Sequence, residues 1–151
     1  MAELFDKLSI RDSKIHKPLA ERLRPKTLCD VVGQDTILKP NGLLFNSVKI
    51  NKYCSCVLVG PPGTGKTTIA RLIAVESQQN FIELSAMDSG VSDLRKIFNN
   101  ARKSGQGSRG TVLFIDEIHR FNKTQQDSFL PHMENGTIRL IGATTENPNL
   151  N

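Results

Sequence analysis

The stretch Gly60-Pro61-Pro62-Gly63-Thr64-Gly65-Lys66-Thr67 constrains the fold of this chain more than any other part of it. It satisfies G-x-x-x-x-G-K-[ST] in full, and Thr68 follows directly. A β-rich run, Cys54 to Val59, leads into it and stops at Gly60. Lys66 to Gln78 follows, with Ile69, Ala70, Ile73 and Ala74 at helical spacing. Glycines let a strand-to-helix loop curl until its N–H groups converge on phosphate oxygens, and the helix N-terminus adds partial positive charge. In this pattern Lys66 bridges the β- and γ-phosphates of a nucleotide, and the Thr67 hydroxyl is a ligand for Mg²⁺.

The strand–helix alternation continues. Phe81–Leu84 reads as a strand, and 91–103 as a helix with Val91, Leu94, Ile97, Phe98 and Ala101 on one face. Ser104 to Ser108 is Gly/Ser-rich and reads as a loop. Thr111–Ile115 is a continuous apolar run suited to a strand buried on both faces. Residues 124–135 read as a helix despite Pro131, with Gly136 placed to end it, and Ile138–Ala143 as a last strand. A weaker helical pattern (Leu43, Leu44, Val48) follows the Pro40-Asn41-Gly42 break. Residues 1–27, interrupted by Pro18 and Pro25, read as an irregular arm. Strands alternating with helices predict an α/β fold, a parallel sheet sandwiched by helices.

The strand Val112-Leu113-Phe114-Ile115 ends in Asp116-Glu117. A carboxylate at the C-terminal end of a parallel strand faces the ligand crevice. Asp116 is placed to hold the Mg²⁺ shell, and Glu117 to orient and deprotonate a water attacking the γ-phosphate. A hydrolase wants such a base beside the phosphate, whereas a small-molecule kinase keeps water away. The next strand ends in Thr144-Thr145; if it adjoins the Asp116 strand, Thr145 reaches the attacking water or a γ-phosphate oxygen.

Composition narrows the class. A chain of 151 residues suits one domain, and 38% hydrophobic residues suffice for its core. No stretch approaches the ~20 apolar residues of a spanning helix. The start, MAELFDKLSIRD, resembles neither a secretory signal nor an acid-poor transit peptide. Cys29, Cys54 and Cys56 include no C-x-x-C pair, which argues against a zinc site or disulfide framework and for a reducing cytosol. Cys54 and Cys56, two apart on a strand, read as small core residues. His119 and His132 read as packing or surface residues.

The net charge of +5 is concentrated in Arg95, Lys96, Arg102, Lys103 and Arg109, which face either DNA phosphates or plain solvent. Arg120 and Lys123 carry the same two readings. Trp is absent and aromatics are 5%, against a base-stacking single-strand binder.

The segments KPLAERLRP (17–25), VVGQ (31–34), GPPGTGKTT (60–68), LSAMDSGVSDLR (84–95), LFIDEIHRFNKTQQDSFLPHMENGTI (113–138) and LIGATTENP (140–148) together resemble an AAA+ ATPase. Within that class they resemble the replication-associated recombination protein A family, whose eukaryotic members are the Werner-helicase-interacting ATPases. The resemblance implies a P-loop AAA+ core over 28–151 after an arm at 1–27. Val32, Gly33 and Gln34 then border the adenine. Gly60, Pro61, Pro62, Gly63, Thr64, Gly65, Lys66, Thr67 and Thr68 hold the phosphates, and Thr67 and Asp116 the Mg²⁺. Glu117 is the catalytic base, Thr145 takes the sensor-1 place, and Ser85 restrains Glu117.

It further implies ATP as ligand, with DNA forks, gaps or ends, copies of the same protein and other replication proteins as partners. No membrane is involved, and the location is cytoplasmic and nucleoid-associated, or nuclear in a eukaryote. The family pattern runs on into an arginine finger, a helical lid and an oligomerisation region. The chain has Asn149-Leu150-Asn151 where a Ser-Phe pair is usual. Such fingers are worth about 10³–10⁵ in rate, so the expectation for this chain alone is nucleotide binding with weak or no hydrolysis. Two alternatives stand beside this: a truncated nucleotide-binding or interaction module that does not hydrolyse, and a branch-migration motor or clamp-loader subunit.

Overall fold

The computed structural model describes residues 18–104 and 110–146. The first part of the arm, the loop at 105–108, Arg109 and residues 147–151 lie outside the described residues.

Four parallel strands form the centre: β1 (Cys56–Val59), β2 (Asn80–Ser85), β3 (Thr111–Asp116) and β4 (Ile138–Thr144), in the order β1-β4-β3-β2. β3 and β4 are interior and carry the most apolar runs. Every residue of β3 from Thr111 to Ile115 is buried. β1 stands at an edge, which leaves Val57 and Val59 about half exposed. The two faces of the sheet bury different side chains, because alternate residues of a strand point to opposite sides. Val112, Phe114, Ile141 and Ala143 join one core with Ala70 and Ile73. Leu113, Ile115, Ile138 and Leu140 join the other with Leu94, Phe98 and Phe129.

The helices supply these layers. α1 (Leu19–Arg22), α2 (Asp35–Leu38) and α3 (Leu43–Lys49) are short and precede the sheet. α4 (Lys66–Glu76) buries Ala70, Leu72, Ile73 and Ala74. α5 (Val91–Ser104) buries Leu94, Phe98 and Ala101, spaced i, i+4, i+7, and leaves Arg95, Lys96, Arg102 and Lys103 exposed. α6 (Lys123–Glu134) begins at a reciprocal capping box. Asn122 Oδ1 accepts from the Gln125 N–H at 2.9 Å, and Gln125 Oε1 accepts from the Asn122 N–H at 3.0 Å. Gly136, at φ +70°, lies just beyond its end.

Three readings need correction. The arm is not wholly irregular, since α1 forms one helical turn directly after Pro18, whose fixed φ suits the approach to a helix. β1 starts at Cys56, so Cys54 is not a core residue; it is exposed ahead of the strand. Cys56 does pack against the core, and burial pushes its thiol above the ordinary value, with the nearby Cys54 adding to the shift.

Candidate functional site

The loop after β1 opens at the C-terminal edge of the sheet. The Gly60 N–H donates to the Thr144 carbonyl at 3.1 Å, so the start of the loop is tied to the end of β4. Gly63 and Gly65 take φ +74° and +89°, which lets the chain turn into α4 at a position where a side chain is strained. The first N–H groups of α4 lack partners within the helix and point along its axis. The Lys66 ammonium folds back over the loop and donates to the carbonyls of Gly60 at 2.8 Å and Pro61 at 2.9 Å. Thr64 Oγ1 donates to the same Pro61 carbonyl at 2.9 Å.

The interior strands deliver the acidic side of the site. β3 pairs with β4 from Thr111↔Ile138 to Ile115↔Gly142, which brings the ends of the two strands side by side. The adjacency on which Thr145 depended is therefore met. Asp116 Oδ1 accepts from the Glu117 N–H at 3.1 Å, and Thr145 Oγ1 donates to Glu117 Oε2 at 3.4 Å. Glu117 takes a left-handed backbone, φ 52° and ψ 46°, where the strand breaks into a 3₁₀ turn at Ile118–Arg120.

A polar cavity of about 380 Å³ joins the two sides. Pro62, Gly63, Gly65, Lys66, Thr67 and Thr68 line it from the loop and α4, and Asp116, Glu117 and Thr145 from the strand ends. Arg24, from the segment after α1, lines it as well and pairs with Glu21 at 3.4 Å. Sequence reasoning passed over Arg24; its one signal was a guanidinium directly before Pro25 in the AERLRP segment.

Next to this lies an apolar cavity of about 370 Å³, shared by Gln34, Ile37, Leu38 and Leu44 with Gly60, Pro61 and Thr64 of the loop. Val32, almost wholly exposed, lines a third space with Leu23 and Pro25. Gly33 lies between at φ +84° and lines none of these three.

The donor types suit a hard cation. A threonine hydroxyl and one carboxylate in the same cavity match the sparse oxygen ligation of Mg²⁺, which keeps waters and takes substrate phosphates. Among the described residues no cluster of three or more His, Cys, Asp or Glu could hold a metal unaided. No helix among them is long and apolar enough to cross a membrane.

Two expected roles shift. Ser85 pairs in register with Asp116, yet its hydroxyl accepts from the Met87 N–H at 3.2 Å rather than meeting Glu117. Besides Thr145, Glu117 is approached by His119, whose Nε2 lies 3.4 Å from Glu117 Oε2. His132 is a packing residue as expected, stacked on Phe98 at 4.1 Å between ring centres. Arg120 and Lys123 are exposed just beyond the Asp-Glu pair.

A glycine-rich loop between β1 and α4, facing two carboxylates at an adjacent strand end, defines a P-loop nucleotide-binding α/β protein. The sequence profile of the "ATPase family associated with various cellular activities (AAA)" matches residues 56–151, and the chain belongs to this family. It is 48% identical over 132 residues to "Replication-associated recombination protein A" of Escherichia coli (strain K12) and 47% identical over 135 residues to "ATPase WRNIP1" of Dictyostelium discoideum. These matches cover 87% and 89% of this chain but 30% and 15% of those proteins, so the chain spans less than a third of their length. Its fold is like that of the RuvB Holliday junction branch migration motor of Thermotoga maritima. That likeness has a TM-score of 0.67 at 36% identity, over 82% of this chain and 42% of that one. The chain is thus an AAA ATPase core homologous to the replication-associated recombination proteins.

Proposed function

We propose that this chain binds ATP and hydrolyses it slowly, as the core of a DNA-dependent ATPase serving replication-fork maintenance and recombination. The observation that carries the reading is that one polar cavity is lined by Lys66, Thr67, Asp116, Glu117 and Thr145 together. Residues 28–151 are the nucleotide-binding core and 1–27 its arm. Lys66 exchanges its two loop carbonyls for phosphate oxygens. The loop N–H groups and the start of α4 hold the remaining phosphate charge. The purine enters the apolar cavity beside Gln34, with Val32 lining the neighbouring space and Gly33 in the chain between the two.

Thr67 and Asp116 hold Mg²⁺, which when bound neutralises charge on the phosphate oxygens. Glu117 takes the proton of the attacking water, and Thr145, now hydrogen-bonded to that carboxylate, orients the water or a γ-phosphate oxygen. Turnover is slow for an electrostatic reason. Among the described residues lining the cavity, Arg24 and Lys66 are offset by Asp116 and Glu117, so beyond the bound Mg²⁺ little positive charge answers the charge that develops at the γ-phosphate. The exposed cations of α5 contact DNA phosphates, and Arg120 and Lys123 couple that contact to Glu117. Partners are gapped or forked DNA, copies of the chain and replication proteins, in the cytoplasm or nucleus.

The test is binding of a fluorescent ATP analogue with Mg²⁺, and hydrolysis with and without gapped DNA. Lys66→Ala weakens binding at least about tenfold, or about 1.4 kcal/mol, while Glu117→Gln keeps binding and loses turnover. No nucleotide binding, or hydrolysis unchanged by Glu117→Gln, overturns the proposal. A module that binds nucleotide without turnover is the second reading, favoured by the Thr145 contact that already engages Glu117. Lys66-dependent hydrolysis by the purified chain decides against it.

A further inference from the structure

His119 occupies the middle of the 3₁₀ turn after Glu117, with its side chain 22% exposed. Its two ring nitrogens face different partners. Nδ1 lies 2.8 Å from Thr144 Oγ1, at the end of β4. Nε2 lies 3.4 Å from Glu117 Oε2 and 3.5 Å from Glu146 Oε1.

These neighbours determine which nitrogen carries hydrogen. A carboxylate only accepts, so the nitrogen facing two of them is the donor. In the neutral ring Nδ1 then accepts, and the Thr144 hydroxyl donates to it. Thr144 Oγ1 has a competing acceptor in the Glu146 carbonyl at 3.4 Å, but the 2.8 Å contact to Nδ1 is much the shorter. The same Oγ1 accepts from the Glu146 N–H at 3.0 Å. The result is a directed chain from the Glu146 backbone through Thr144 to His119, whose Nε2 then stands in close electrostatic contact with the Glu117 and Glu146 carboxylates.

We propose that His119 is a positioning residue for Glu117, holding its carboxylate to the end of β4 through the Thr144 hydroxyl. The inference rests on the reading of Glu117 as the base that activates water. A base is effective when a third group fixes its orientation, and outer partners of this kind commonly matter about 10–100-fold. Thr145 and His119 both approach Glu117 Oε2, each at 3.4 Å, so the carboxylate is tied to the consecutive residues Thr144 and Thr145 at the end of β4. Glu146 competes for the same Nε2–H at nearly the same distance. A shift of the segment after β4 therefore changes how firmly Glu117 is held.

The experiment uses the whole chain with ¹⁵N in its histidine rings, together with steady-state hydrolysis. The His119 ring signals, assigned by their loss in His119→Gln, are expected to move in both Glu117→Gln and Thr144→Val. His119→Ala is expected to lower turnover about tenfold or more while the Kd for the fluorescent ATP analogue stays within about twofold. His119→Gln, whose amide nitrogen reaches toward the Nε2 position, is expected to recover part of that loss. Ring signals unmoved by Glu117→Gln overturn the inference, as does wild-type turnover in His119→Ala beside a dead Glu117→Gln. Full turnover in Glu117→Gln instead overturns the reading of Glu117 as base. If the wild-type chain binds nucleotide without measurable turnover, the ring signals still decide whether His119 holds Glu117.

Discussion

Gly142, in the middle of β4, is buried and pairs with Val57 on one side and Ile115 on the other. A Cβ added there would stand 2.8 Å from Ile118 Cδ1, 3.0 Å from Cγ2 and 3.4 Å from Cβ. Ordinary carbon contacts lie at about 3.5–4.0 Å. Cδ1 can swing aside about χ2 at little cost, but Cγ2 moves only with χ1, which is stiff in a β-branched side chain, and Cβ is fixed by the backbone. Gly142→Ala therefore forces the 3₁₀ turn outward by about half an ångström. Overpacking of this kind costs about 1–3 kcal/mol. At roughly 2–4 °C per kcal/mol for a chain of this size, the expected drop in Tm is about 2–12 °C.

That turn carries His119 and begins at Glu117, while Lys66 and the phosphate loop are attached to β1 and α4. Hydrolysis should accordingly fall further than nucleotide affinity. Thermal and urea unfolding of Gly142→Ala, Ile118→Ala and the pair form the assay. Removing Cγ2 and Cδ1 makes room for the new methyl, so the double variant should be more stable than the sum of the singles by about 1 kcal/mol or more. A Gly142→Ala protein within about 0.5 kcal/mol of wild type, or strictly additive variants, would refute the reasoning.

The backbone at Glu117 allows a second test. A non-glycine residue at φ 52° carries about 1–2 kcal/mol of left-handed strain, partly offset in Glu117→Gly by the greater chain entropy of glycine. Glu117→Gly should thus be as stable as wild type or up to about 1 kcal/mol more stable while losing hydrolysis, and an unfolding free energy from urea titration lowered by more than about 1 kcal/mol counts against it. A third concerns His132, whose pKa is held below the ordinary 6.5 by burial first and by Arg102 second. The unfolded chain takes up that proton at higher pH than the folded one, so its contribution is complete above about 6.5 and is lost as pH falls through that value. Urea midpoints at about pH 7.5 and about pH 5.5 should differ less in His132→Phe than in wild type, and equal differences would exclude His132 as a source.

What the sequence makes legible here is local. The loop from Gly60 to Thr67, the helix behind it and the apolar run into Asp116 are each set by neighbours in the chain, and all form close to where they are read. The fold class follows from their alternation. The strand order is different in kind. That β4 inserts between β1 and β3 depends on pairing between distant segments, and neither strand's composition records its neighbour. Cys54 shows the same limit at small scale, because a two-residue period continues smoothly across the point where pairing begins at Cys56. Arg24 and His119 were invisible for a related reason. Each reaches the cavity or its base through a turn whose direction is set by packing, not by its own residue type.

Backbone strain separates the site from the rest of the fold more sharply than composition does. Among the described residues, Gln34, Asn41, Asn51, Gln78 and Glu117 have positive φ without being glycine. Asn51 and Gln78 lie just after α3 and α4, where a left-handed residue commonly ends a helix, and Asn41 is the third residue of the turn closed by the Gly42 N–H on the Lys39 carbonyl, a place asparagine tolerates well. Gln34 and Glu117 instead stand immediately before helical turns, where an extended residue is usual. Both line cavities, one apolar and one polar, on the two sides of the phosphate loop. At Glu117 the left-handed backbone turns the chain out of β3, and the side chain lines the polar cavity together with the loop. The strain at Glu117 is held in place by β3 and β4, the two interior strands, paired along their length and almost wholly buried. The buried interior of this sheet and the exposed chemistry at its edge are therefore one device: the register that hides Phe114 and Ile141 also keeps Glu117 turned toward Thr145 and His119.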